Sequence, residues 1–103
     1  MSSSKDTKNK ITGIDNINII TNGTLKELDS ITNVNQVGSI IEKDTDNNIS
    51  QITPLFMIIN QRAKDYKDRL DILIKNGGNM DMEINYYNHP TTAHDIAIKY
   101  RGY

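Results

Sequence analysis

From Thr24 onward the apolar positions fall three and four residues apart, the spacing that gathers side chains on one face of a helix. "TLKELDSI" opens with Thr24 as a candidate N-cap and has Glu27 three residues later, a capping-box arrangement in which each polar group satisfies a backbone N–H of the other. Leu25 and Leu28 share its apolar face. "VNQVGSIIEK" then sets Val37, Ile40 and Ile41 at helical spacing. Residues 24–43 therefore predict two short helices in hairpin form, with "TNVN" as the connection. "DTDNNIS" predicts a polar loop.

The next stretch is sharper. In "ITPLFMIIN", Thr53 is placed to cap a helix whose first residue is Pro54, where the missing N–H costs nothing and the fixed φ suits the helix. Leu55, Ile58 and Ile59 follow at i, i+3, i+4. A second helix is predicted over Lys64 to Asn76, with Tyr66, Leu70, Leu73 and Ile74 as its apolar face and Lys and Asp opposite. Asn76-Gly77-Gly78 ends it, Gly77 suiting the left-handed C-cap position. "NMDMEINYYNHP" is long for a helix connection and has the length to fold back as a small β-like hairpin arm. Thr92 then caps "TAHDIAIKYR", whose stripe is Ala93, Ile96, Ala97 and Tyr100. Upstream the signal is weak. "ITGIDNINII" puts Ile14, Ile17 and Ile20 on one helical face, while Ile17 and Ile19 suit a strand. Its Asn and Gly residues weaken both, leaving an extended or irregular lead-in that covers the end of the core. Residues 1–10 have almost nothing to bury and are expected to be a disordered tail.

A capping Thr, a residue tolerated in the first turn and a three-four apolar spacing thus occur twice, at Thr53 and Thr92, 39 residues apart. Helical units recurring at such a period point to a stacked repeat. At these residues the chain resembles the ankyrin-repeat family. "TPL", then "LDILIKNGGNMD", then "TTAHDIA" is similar to that family's succession of Thr-Pro-Leu, a second helix, a Gly turn, a hairpin arm and Thr-Ala-Leu-Asp-Leu-Ala. The resemblance covers residues 52–101. It departs from the pattern at Phe56, where the family has His, and at His94, where it has Leu. The implied fold class is all-α, a short ankyrin-like solenoid of two to three helix–turn–helix units, with small hairpin arms. Residues 11–103 would form one domain: a degenerate first repeat at 24–50, a second at 53–90 and a partial third at 91–103. Lengthened repeats rich in Ile and Asn are similar to those of giant DNA viruses, which implies a viral protein acting inside a host cell, with intracellular bacteria of AT-rich genome as the alternative source.

Composition narrows the chemistry. The chain has 103 residues, 36% of them hydrophobic, a formal net charge of -1 and no cysteine. One small domain is what that length supports. Without cysteine there are no disulfides, thiolate metal sites or thiol nucleophiles. No concentrated basic stretch is present to displace counterions from phosphates, so nucleic acid is not the expected partner. The apolar runs are too short to span a bilayer, and "MSSSKDTKNK" lacks the apolar core of a secretory signal. The expectation is a soluble cytoplasmic protein, in which Asn22-Gly23-Thr24 and Asn48-Ile49-Ser50 are coincidental glycosylation patterns.

Motifs that carry chemistry elsewhere do not assemble here. His89 and His94 are spaced i, i+5 with Pro90 between them, which does not place them on one helical face. A metal site would need further ligands. "NGGN" lacks the additional glycines and the Lys-Ser/Thr pair of a phosphate loop and reads as a helix C-cap. "DTDNN" starts like a calcium loop, but Ile49 stands at the sixth position and Leu55 at the twelfth, where Gly and Glu are required. "KDYKDRLD" is a solvated helix face. No cofactor, metal or catalytic residue is expected. One segment invites a partner: "EINYYNHP" sets Tyr86, Tyr87 and His89 together on a projecting turn, and tyrosine offers large contact area with one polar end. The ankyrin resemblance adds Phe56, Met57, Asn60 and Gln61 from the inner helix, Phe56 and Met57 being equally suited to the core. The expected function is therefore non-catalytic protein–protein interaction, a viral adaptor for a host protein. The alternative is a self-associating structural subunit or a fragment of a longer repeat protein.

Overall fold

The computed structural model describes residues 9–60 and 64–101. Along them run β1 (Lys10–Thr12), α1 (Ile17–Asn22), α2 (Leu25–Leu28), β2 (Gly38–Ile41), β3 (Asn48–Ile52), α3 (Pro54–Asn60), α4 (Tyr66–Lys75), β4 (Glu83–Tyr86), β5 (His89–Thr92) and α5 (Ala93–Arg101). β1, β2 and β3 form an antiparallel sheet in that order, and β4 and β5 form a separate antiparallel hairpin. The fold is mixed α/β, so the expectation of an all-α solenoid is overturned.

The largest departure lies in residues 34–43, where a helix was expected and β2 is found. Its burial alternates, Gly38 and Ile40 inward and Ser39 and Ile41 half-buried, which is the period of a strand. Val37, Ile40 and Ile41 satisfy a helical template only because a short apolar run fits both periods. The β-branched pair Ile40 and Ile41 favours the extended form, and pairing on both flanks decides it: Ile40 lies opposite Ile11 on one side and Ser50 on the other. A Cβ on Gly38 would fall 2.4 Å from the Thr12 carbonyl oxygen, so only glycine lets β1 approach. Part of the expected polar loop, from Asn48, is likewise strand. The lead-in 11–20 resolves into the end of β1 and the start of α1. Of the expected disordered tail, residues 1–8 lie outside the described residues, while Lys10 opens β1.

The helix starts and stops follow local chemistry. Around α2 both halves of the capping box are present, Glu27 N–H donating to Thr24 Oγ1 at 3.1 Å and Thr24 N–H to Glu27 Oε1 at 2.8 Å. Thr53 Oγ1 accepts from Phe56 N–H at 3.3 Å, with Pro54 as the first helical residue. Thr92 Oγ1 accepts from Asp95 N–H at 3.1 Å. α4 ends with Gly77 N–H on the Ile74 carbonyl and Gly78 N–H on the Leu73 carbonyl, Gly77 having φ 106°, the Schellman arrangement.

Core burial centres on α3. Every residue from Ile52 to Ile59 is buried. Burying each of Leu55, Ile58, Ile59, Leu70 and Leu73, all 1% exposed or less, contributes about 1.5–3 kcal/mol. α3 packs against α1, α4 and α5, and α4 packs against α2 as well. Polar ties fasten α2 to α4. Arg69 Nη2 donates to the Gly23 carbonyl at 2.6 Å, and Asn76 Nδ2 to the Asp29 carbonyl at 2.9 Å. The Asn35 amide grips the loop after α4 twice, donating to the Gly77 carbonyl and accepting from Asn79 N–H, both at 2.8 Å.

Candidate functional site

The β4–β5 hairpin turns through Tyr87 and Asn88, with Tyr86 opposite His89. Both turn residues have positive φ, 49° and 68°, the signature of a type I′ turn whose twist matches that of the strands. Asn is at home in that conformation. Tyr is not, because its Cβ crowds the backbone there. Tyr87 is nevertheless held in it, with its side chain 43% exposed at the tip.

What holds it is a chain of contacts rising from the core. Phe56, 1% exposed on α3, meets the Tyr86 ring at 5.0 Å between centroids, tilted by 44°. Tyr86 meets Tyr87 edge-on at 4.7 Å. Such tilted and edge contacts match the positive rim of one ring to the negative face of the next. Asn60 Nδ2 donates to Tyr86 Oη at 2.5 Å, tying the phenol to the end of α3. On the backbone side, β3 serves β4 through side chains instead of a ladder: Gln51 Oε1 accepts from Asn85 N–H at 2.7 Å and Ser50 Oγ from Tyr87 N–H at 3.0 Å. The tip is therefore pinned from two elements, and its exposed ring costs little entropy to place against a partner.

Four of the seven expected partner-binding residues come together here: Asn60, Tyr86, Tyr87 and His89. Phe56 lies beneath them as a core residue, and so does not offer itself to a partner. Met57, 5% exposed, is likewise core. Gln61 lies outside the described residues. Ser50 and Gln51 were not anticipated. "DTDNNIS" reads as loop, and nothing in it marks Ser50 as an acceptor for a strand 37 residues away. A groove of about 340 Å³ opens beside the hairpin, between Tyr86, Tyr87, His89 and Pro90 on one side and Asp95 and Lys99 of α5 on the other. A second, polar hollow of about 370 Å³ is lined by residues that include Asn48, Gln51, Asn85 and Asn88.

Among the described residues no group of three or more His, Asp or Glu is placed to hold a metal ion. His94 is half-exposed and sits 3.8 Å from the Asp81 carboxylate, apart from His89 at the hairpin. No helix among them is long and apolar enough to cross a membrane. Comparison with known proteins returns no match: no family model, no curated protein and no solved structure.

Proposed function

We propose that this chain is a non-catalytic protein-binding module related to ankyrin repeats, and that the β4–β5 tip is its contact surface. The observation that carries the reading is Tyr87. Turn physics favours Asn or Gly at its position, yet a large aromatic ring stands there, exposed and braced. A residue kept in a sparsely populated conformation is a mark of function when its surroundings hold it there. Tyrosine on a rigid support is also the side chain that dominates many protein interfaces. The ankyrin relation draws support from the order of elements, two helices followed by a hairpin and then the same again, and from the packing of α3 against α1 and α5. In that reading the adaptor acts inside the cell that produces it, a virus-infected host cell on the resemblance of its repeats.

The test is comparative capture. The wild-type chain and Tyr87→Asn, immobilised side by side, are exposed to lysate of the host cell and retained proteins identified by mass spectrometry. Asn suits the turn, so the variant is expected to melt at or above the wild-type temperature and to lose a defined set of retained proteins. Identical retained sets would sink the assignment of the tip as the contact surface. Loss of folding would make Tyr87 structural.

A further inference from the structure

The molecule contains its own template for what fills the groove beside β5. Thr53 and Thr92 cap α3 and α5 through the same N–H, that of the third residue on, so the two segments align at an offset of 39 residues. In the first, β4 lies beside β3 and α3. The N–H groups of Asn85 and of Tyr87, just past its end, bond Gln51 and Ser50, and its Tyr86 rests on Phe56 and Asn60. The four residues at the offset positions are His89, Pro90, Asp95 and Lys99, and all four line the groove. The offset also maps Ile59, 1% exposed, onto Ile98, 50% exposed, so α5 carries apolar surface that α3 has covered.

We infer that the groove is the seat of an extended strand from a partner protein, lying against β5 and α5 as β4 lies against β3 and α3. This rests on the reading of the chain as a protein-binding module. The substitutions state what the strand must carry. Phe56 is replaced by Asp95 and Asn60 by Lys99, so the floor that receives one side chain offers an acceptor and a donor four residues apart on a helix. A side chain that both donates and accepts fits it, as a tyrosine hydroxyl does by donating to the Asp95 carboxylate and accepting from the Lys99 ammonium. His89 retains an acceptor nitrogen for a backbone N–H where Ser50 supplies a hydroxyl. Pro90 has no side-chain acceptor to replace Gln51, and no N–H of its own, so the strand is held by side chains and not by a full ladder.

The probe is a capped hexapeptide with the sequence of residues 83–88, Glu-Ile-Asn-Tyr-Tyr-Asn, titrated into the isotopically labelled chain and followed by amide chemical shifts. Saturable shifts are expected at Tyr87, His89, Asp95 and Lys99. Replacing the first Tyr of the peptide with Phe is expected to weaken binding about three- to tenfold, the loss of one hydrogen bond. Asp95→Ala in the protein, at an exposed site, should erase the difference between the two peptides. Absence of saturable shifts in the groove overturns the inference, and so does equal affinity for both peptides. Groove shifts that follow protein concentration without peptide overturn it too and assign the seat to a second copy of the chain. If the peptide fails while Tyr87→Asn still loses captured proteins, the strand seat falls and the binding module stands.

Discussion

The two hairpins are built on one plan and finished in opposite ways. β2–β3 is sealed. Its outer edge is covered by β1, its register shifts between Ile40 and Ile41, and its connection is closed on itself by Glu42 N–H to the Asn47 carbonyl and Asp46 N–H to the Glu42 carbonyl, both 2.8 Å. Residues 43–48 at its tip are exposed polar side chains. β4–β5 is regular in register and turns in two residues, and it places an aromatic ring where the other hairpin has amides and carboxylates. A strand edge invites association unless covered or blocked. The first hairpin spends its edge on β1, while β5 carries Pro90 and looks onto a groove. A polar self-bonded tip has no apolar area to hide, whereas the second hairpin exposes the Tyr87 ring, the contrast on which the proposed contact surface rests.

The heaviest blow to that contrast is Phe56→Ala. It empties a core site and removes the ring on which Tyr86 rests, and about 3–5 kcal/mol of stability is expected to go with it, read by denaturant unfolding. The β4–β5 amides should lose exchange protection more than those of β2–β3. Gly38→Ala strikes the other hairpin. Its methyl meets the Thr12 carbonyl, so β1 must shift, at a cost of about 1–3 kcal/mol. Hydrogen exchange should then accelerate at residues 10–12 and leave the Tyr87 turn unchanged.

Thr53→Ala and Thr92→Ala compare the two helix starts directly. Each removes one capping bond, worth about 1 kcal/mol. The first should cost more, because Thr53 is 1% exposed and leaves a buried N–H unpaired, whereas Asp95 N–H lies at an exposed site. Equal costs from the two melts would mean that burial of the Phe56 N–H adds nothing to the loss of the cap. The smallest effect concerns Asp29. Its carboxylate accepts from Lys75 Nζ at 3.0 Å and from Asn76 Nδ2 at 3.3 Å. The Lys75 hydrogen bond, then the Asn76 bond, then the Lys75 charge hold it below its ordinary value of 3.8. A carboxylate lowered by folding adds stability above its unfolded value and loses it as pH falls through the folded one. The acid side of the pH–stability curve should therefore be slightly flatter in Asp29→Asn, and added salt should narrow the difference because the pair is exposed.

How far the chain was legible depended on how local the signal was. Thr24 with Glu27, Thr53 with Pro54, and Gly77 after α4 each act within four residues, so their roles follow from adjacent chemistry alone. The face of α4 follows from spacing, with Leu70 and Leu73 buried as expected. The segment 79–90 betrayed its hairpin by its length. Residues 34–43 did not, since Val37, Ile40 and Ile41 fit both periods and the deciding partners, Ile11 and Ser50, are remote in sequence. The candidate site divides along the same line. Tyr86 and Tyr87 stood out as adjacent tyrosines before a Pro, but whether Phe56 faces a partner or the core is settled only by what stacks on it.

By itself, then, the order of residues determined the caps at Thr24, Thr53 and Thr92 and the stop at Gly77, and that thiol chemistry is absent, because each follows from covalent identity or from forces reaching one helical turn. The tertiary structure alone decided that an ambiguous apolar run becomes a strand, that Phe56 and Met57 are interior, and that Ser50, Gln51 and Asn60 brace a turn far along the chain. Those outcomes depend on which distant surfaces meet, and burial and strand pairing are set by the neighbour that arrives, not by the run of residues that receives it.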